Sequence, residues 1–396
     1  MKRFRLIFIL AVVSAAMVCL TVSCKPTEEV KKTSVLIYIA GNNSLSYYAS
    51  DCMDQLIQGY IPSDGVNSDV LLVYYHDYST TPKLIKVSKT DKGVIRQTTL
   101  CTYPSDQKSA RKETLSQVLR DAEALCPATY HHLVLWSHST GFLPEGYYEK
   151  LTSGTDLSSA DGRLNPSLKR TFGKDDDSSE EITIGDLADV LPFKYESIFF
   201  DSCLMGTIEV AYELRDKCNY LVVSPTEIMS QGMPYYMMMY ELFNNQDREQ
   251  AVINVATEYY DYYNHVSDYP YATVTVVRTA ELEPLAAFCA TAFKKYSHSL
   301  GTLNPGALQV FDRCRKHWLF DMGDIMSHIL PASSYMEYSL LLQQATAYKA
   351  NTPKFINIDI KKYSGFGMYL PNPEYGILND YYRTIAWNKA TGLVGY

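Results

Sequence analysis

No basic tract, no CxxC pair, no HExxH and no regular EF-hand loop occur in the 396 residues. The first absence, with 36 Lys+Arg against 44 Asp+Glu and a net charge of −8, argues against a nucleic-acid partner. The missing CxxC and HExxH remove the usual zinc spacings. No internal repeat and no low-complexity tract appears, which sets aside repeat architectures. Long apolar runs are also wanting: the longest, Leu6 to Leu20, has about 15 residues, where a membrane helix needs about 20.

What is present describes a globular chain. Hydrophobic residues make up 46% and charged residues 20%, enough for a sizeable core. Aromatics reach 13%, including 33 tyrosines, which excludes general disorder. A length prior of about 150 residues per domain predicts two or three units.

Lys2, Arg3 and Arg5, the apolar stretch, and Thr21-Val22-Ser23 before Cys24 form a signal of the lipoprotein type. Leu20 falls one place early for the lipobox, so plain secretion and an uncleaved anchor are the other readings. Lipidation at Cys24 would tie residues 24–32 to a membrane as a polar tether, each buried CH₂ contributing about 0.8 kcal/mol. The expected location is the bacterial cell envelope. Of nine cysteines, Cys19 and Cys24 belong to the signal; the remaining seven are an odd number, so at least one thiol is unpaired.

From Val35 the pattern alternates strand and helix. Val35–Ile39, Val70–Tyr75, Leu133–Trp136, Ile198–Phe200 and Leu221–Val223 are continuous apolar runs, as expected of strands buried on both faces. Leu84–Val87 reads as a small edge strand. Ser50–Gly59, Glu113–Leu125, Ile184–Leu191 and Thr207–Arg215 read as helices. The fold class is therefore α/β: a mostly parallel sheet with helices on both faces. The core is expected over residues 33–245. The C-terminal part, 246–396, carries helices at Arg248–His265, Leu282–His298 and Tyr338–Tyr348, a strand at Ala272–Arg278 and a late strand at Gly367–Pro371. It either packs on the core or forms a separate unit. Pro144 to Glu181, rich in Gly, Ser, Asp and Lys, is a loop of a length that is usually functional or disordered.

In open α/β sheets the chemistry collects at the carboxyl ends of parallel strands. Two such ends stand out: Trp136-Ser137-His138-Ser139-Thr140-Gly141, and Phe200-Asp201-Ser202-Cys203-Leu204-Met205-Gly206. A Cys and a His on neighbouring strand ends form a thiol nucleophile and its acid/base partner. A helix starting at Thr207 would place its positive end near Cys203 and favour the thiolate. A buried structural Cys and a hydrogen-bonded core His are the plainer explanation of the same pair.

The segment Ser197 to Leu214, SIFFDSCLMGTIEVAYEL, resembles the cysteine segment of clostripain-type peptidases. VLIYIAGNN (35–43), HLVLWSHSTG (132–141), LVVSPTE (221–227) and YSGFGMYLP (363–371) resemble further pieces of that family, in order. The resemblance implies a sandwich of the caspase–gingipain–legumain type with a C-terminal α/β extension, and a cysteine endopeptidase acting on protein or peptide substrates. Cys203 would attack the scissile carbonyl, His138 would protonate the leaving amine, and the backbone N–H groups of Ser139 and Cys203 would hold the oxyanion. Asp201 would line the pocket for the residue before the cut and select Arg or Lys; Thr226 is a weaker candidate for the same pocket. The family carries Gly where Ser139 stands. If that position needs positive φ, Ser costs about 1–2 kcal/mol. A non-catalytic surface lipoprotein acting as a binding module is the alternative reading.

The loop 144–181 holds Lys150, Arg163, Lys169, Arg170 and Lys174. Related peptidases are matured between their His and Cys segments, which makes Lys169 and Arg170 the processing candidates. No cofactor is expected. Asp175-Asp176-Asp177 and Glu180-Glu181 supply oxygen ligands that suit Ca²⁺, although a charge run is more commonly solvated. His131, His132 and His138 do not form a metal site, because about 3.3 Å per residue separates His132 from His138 by about 20 Å. His76-Asp77 is assigned only loop structure.

Overall fold

The computed structural model describes residues 32–152, 172–178 and 180–395. Cys24, Lys169 and Arg170 lie outside them. Strands β1 (Thr33–Gly41) and β2 (Val70–Asp77) are buried along their whole length, as their unbroken apolar runs require. They are followed by β3 (Lys83–Lys89), β4 (Ile95–Thr102), β5 (Tyr130–Trp136), β6 (Tyr195–Asp201), β7 (Cys218–Val223), β8 (Thr273–Arg278), β9 (Leu319–Asp321) and β10 (Thr346–Asn351). The main sheet has nine strands in the order β10-β8-β7-β6-β5-β1-β2-β3-β4. The central five, β7-β6-β5-β1-β2, are parallel; β3 and β4 extend one side and β8 and β10 the other, all antiparallel.

The described helices include α1 (Ser46–Gln58), α2 (Lys112–Leu125), α3 (Tyr147–Thr152), α4 (Ile184–Val190), α5 (Ile208–Glu213), α6 (Tyr235–Asn244), α7 (Arg248–Asp261), α8 (Leu282–Lys295), α9 (Ser297–Gly301), α10 (Met322–Ile329), α11 (Ala332–Ala345), α12 (Gly376–Tyr382) and α13 (Ala386–Thr391). Helices α1, α6 and α7 pack in one group; α2, α4 and α5, then α13 and α8, pack in another. Thr183 and Thr207 cap α4 and α5 through their hydroxyls.

The described residues from Lys32 onward form one compact unit with one hydrophobic core. The C-terminal part joins that core directly. The short strand β13 (Gly367–Tyr369) pairs with β9, and Glu209 of α5, fully buried, accepts the Tyr369 N–H at 2.9 Å and the Tyr382 hydroxyl at 2.7 Å. A small hairpin of β11 (Lys354–Phe355) and β12 (Ile358–Asp359) lies between β10 and β13.

Two local expectations are corrected. The helix expected over 338–348 begins earlier, at Ala332, and gives way to a strand from Thr346, because β10 is captured by β8. The small edge strand over 84–87 is not at the edge: β4, exposed and polar, continues the sheet beyond it.

Candidate active site

Connections from β1 lead outward to β2 on one side, while β5, β6 and β7 run out on the other. The strand order therefore reverses between β1 and β5, and the carboxyl ends of those strands flank the crevice where α/β folds bind ligands. His138 follows β5, and Ser44 follows β1. Ser44 Oγ lies 3.0 Å from His138 Nε2, across that reversal. Ser44 was not legible as a site residue, though the same strand-end argument applied to β1 points to it.

Cys203 follows β6 on the other side of β5. His138, Ser137, Trp136, Asp201, Ser202 and Cys203 line one narrow cleft with Leu45 and residues from 228–232, with a volume of about 30 Å³. The structure thus brings His138, Cys203 and Asp201 to one place. It does not bring Thr226 there. That side chain is fully buried and bonds Thr273 Oγ1 at 2.8 Å and the Glu227 carbonyl at 3.0 Å.

The Cys203 thiol is almost fully buried. The Ile228 N–H points at Sγ at 3.3 Å, and the Ile228 carbonyl stands 3.8 Å away. Burial, reinforced by the charge of Glu227, pushes the thiol well above its usual range. Helix α5, expected to favour the thiolate through its N-terminus, has six residues, and the Thr207 hydroxyl caps its first turn. Leu204, directly after the cysteine, takes φ +62° and donates its N–H to the Thr226 carbonyl at 2.9 Å. A non-glycine residue there costs about 1–2 kcal/mol, so the tight turn that presents Cys203 is bought by the fold around it.

Ser139 is not strained, since its φ is not positive; the left-handed residue is Gly141, at φ +69°, where a Cβ would meet the Leu204 carbonyl at 2.7 Å. The Ser139 hydroxyl instead bonds the Cys203 carbonyl at 2.5 Å and ties the two strand ends together.

Asp201 is buried, and its two oxygens differ. Oδ2 accepts the Met233 N–H at 3.0 Å and the Tyr235 hydroxyl at 2.8 Å. Oδ1 has no hydrogen-bond partner. Gly232, at φ +68°, allows the chain to pass: a Cβ there would stand 2.6 Å from Oδ2. Burial raises the Asp201 carboxyl to about 6, against the two donors on Oδ2 that lower it.

The later part of the long loop, from Phe172, is clamped beside His138. The Gly173 N–H donates to the His138 carbonyl at 3.0 Å, and Asn43 binds the Lys174 carbonyl at 2.8 Å. Lys174 is buried and paired with Asp176 at 2.5 Å, so it is not an accessible loop residue. The acidic run is engaged likewise. Asp175 accepts the Ala110 N–H at 2.8 Å, Tyr78 bonds Asp176, and Lys108 pairs with Asp177. Among the described residues no three His, Cys, Asp or Glu side chains converge as metal ligands. His76 is more than a loop residue: at the end of β2 it bonds Ser109 Oγ at 2.6 Å and faces Asp175 at 3.7 Å, and burial lowers it to about 4.

A model of the clostripain family, peptidase C11, matches residues 37–300. The chain belongs to the clostripain family. Among solved structures, an inactive zymogen of a C11 protease from Parabacteroides distasonis is 31% identical, covering 91% of this chain and 98% of that one at a TM-score of 0.77. A secreted C11 cysteine protease from Bacteroides thetaiotaomicron, in complex with an irreversible peptide inhibitor, is 26% identical, covering 91% and 98% at a TM-score of 0.75. No curated protein matches. This clostripain-family chain is a cysteine protease, and its α/β sheet is the fold of those structures.

Proposed function

We propose that this protease is an endopeptidase cutting after Arg or Lys, with Cys203 as nucleophile and His138 as acid/base. The observation that carries the specificity is Asp201, which lines the cleft shared by Cys203 and His138 and whose buried Oδ1 has no hydrogen-bond partner. A guanidinium or ammonium group supplies the missing donors, and desolvated pairing makes the contact strong. Oδ2 is held in place by Met233 and Tyr235, so the pocket is preorganised.

In the reaction, Cys203 Sγ attacks the scissile carbonyl carbon as His138 takes the thiol proton. The oxyanion gathers donors from the Ser139 and Cys203 backbone N–H groups. His138 then returns the proton to the leaving amine, giving a thioester. Water, deprotonated by the same imidazole, releases the acid and restores the thiol. Ser44 orients the ring through Nε2.

Self-processing within 144–181, at Lys169 or Arg170, agrees with Arg/Lys specificity, and a similar protein is described as an inactive zymogen. The lipoprotein-type signal before Cys24 supports a cell-envelope location, and a similar protein is described as secreted.

The test is hydrolysis of fluorogenic peptides with Arg, Lys, Ala, Leu or Asp before the reporter, beside Cys203→Ala, with chain integrity followed on a gel and trypsin added to open the loop. Arg and Lys cleavage that vanishes in Cys203→Ala is expected. Cys203-dependent cleavage after other residues would remove the Asp201 pocket and keep the dyad. Silence of a folded, opened chain would favour the binding module.

A further inference from the structure

Glu227 does not face the cleft. It immediately precedes Ile228, the residue whose N–H meets Cys203 Sγ, and its carboxylate is gripped by Arg313 from the C-terminal part. Arg313 Nε lies 2.5 Å from Oε2 and Nη2 3.3 Å from Oε1, with side chains only 3% and 1% exposed. Such burial marks an ion pair costly to desolvate, so its presence beside a nucleophile calls for a role beyond stability.

The loop presenting Arg313 is itself organised. Asp312, fully buried, accepts the N–H groups of Cys314 at 2.9 Å and of Trp318 and Leu319 at 3.0 Å each. His317 Nδ1 stands 3.1 Å from the same carboxylate. The strap 226–228 is fixed at one end by the Leu204 N–H on the Thr226 carbonyl, and at the other by this C-terminal grip.

We propose that Arg313 is a positioning residue for the catalytic thiol: paired with Glu227, it holds the Ile228 N–H against Sγ and offsets the negative field of Glu227 on the forming thiolate. The inference rests on Cys203 being the nucleophile. Among the described residues, the charged and titratable groups around the thiol include His138 from the end of β5 and Asp201 from β6, which share its cleft, and Glu227 after β7, Arg313 from the C-terminal loop and Tyr259 from α7, which act on it electrostatically from behind. Arg313 is the one permanent cation of this set. Without it, Asp201 and Glu227 both oppose the thiolate. The direction agrees with the way Glu227 raises the thiol and Arg313 lowers it.

The experiment compares Arg313→Met, Arg313→Lys, Glu227→Gln/Arg313→Met and Cys203→Ala in the full-length protein. The readouts are alkylation of Cys203 by iodoacetamide, mapped by peptide mass, and kcat and KM on an Arg peptide. Arg313→Met is expected to slow Cys203 alkylation at neutral pH at least about tenfold, the equivalent of one unit of thiol pKa. It should lower kcat with KM little changed. The double variant, which removes both buried charges and with them the grip on the strap, should recover alkylation only in part; Arg313→Lys, which keeps the charge without the fork, should fall between Arg313→Met and wild type. If Arg313→Met does not fold, the Lys and double variants carry the comparison. Wild-type alkylation in a folded Arg313→Met, Arg313→Lys or double variant, or a double variant no faster than Arg313→Met, would overturn the proposal. Peptide cleavage surviving in Cys203→Ala would instead overturn the nucleophile assignment.

Discussion

The two ends of β5 each carry a histidine. His132, near the amino end, is 1% exposed, and its Nδ1 meets Ser197 Oγ at 2.6 Å on the adjacent β6. Burial lowers it to about 3, so it is a neutral packing group. His138, just past the carboxyl end, is scarcely more exposed, yet it lines a cleft with Cys203 and Asp201 and meets a hydroxyl from the far side of the strand-order reversal. Burial therefore does not distinguish a histidine packed in the core from one that lines the cleft. What differs is position. At the amino end His132 shares its surroundings with Leu119 and Ala122 of α2; at the carboxyl end diverging connections leave a crevice.

The largest effect expected from this comparison is at the carboxyl end. Cys203→Ala or His138→Ala should cost about 10⁴-fold or more in kcat/KM, read with an Arg peptide. Equal activity in either variant would erase the contrast between the two ends. Next, Asp201→Asn should lower kcat/KM for Arg and Lys peptides by about 10²–10³-fold, with little change for any residual cleavage after apolar residues.

The same carboxylate sharpens the comparison through pH. The folded pKa of Asp201 is raised to about 6 from the ordinary 3.8, so the folded state binds the extra proton between those values. Its contribution to stability is thus greatest in acid and declines as pH rises through about 6. Activity runs the opposite way, since kcat/KM on basic substrates should fall as pH drops through about 6. Asp201→Asn should consequently be more stable at neutral pH by about 1–3 kcal/mol, as urea titration would read, while its activity on Arg and Lys falls as above.

His132 should give the reverse sign. Its folded pKa is depressed from 6.5 to about 3, so its contribution is complete above about 6.5 and is lost as pH falls toward 3. His132→Leu should flatten that acid loss and cost about 1–3 kcal/mol at neutral pH by stranding the Ser197 hydroxyl. Activity per folded molecule should stay at the wild-type level. A fall in kcat without a fall in stability would show that the amino end takes part in catalysis.

Much of the fold was legible because the parallel strands are buried on both faces and so read as unbroken apolar runs. Val35–Ile39 and Leu133–Trp136 needed no tertiary knowledge. β4 was not legible, since a polar, exposed strand carries no periodic signal and exists only because β3 offers an edge. The Ala332–Asn351 stretch was misjudged at its end for a similar reason: β8 decides where α11 stops. At the site, His138, Cys203 and Asp201 were readable from strand ends and motif. Ile228 and Arg313 were not, because each reaches the site from a different element and nothing local marks it; Ser44, whose partner His138 lies 94 positions away, is marked only by its place after β1.

By itself, then, the amino-acid sequence determined the alternation of buried strands and helices, the thiol and imidazole at adjacent strand ends, and the acid beside them, because these follow from hydrophobic periodicity and short-range spacing. Tertiary structure alone decided that Ser139 is unstrained while Gly141 takes the left-handed turn, that Asp201 keeps one oxygen unpartnered, and that a C-terminal arginine reaches the strap over Cys203. Those outcomes depend on which chain segments meet in space, where desolvation and long-range hydrogen bonds act and local propensity does not.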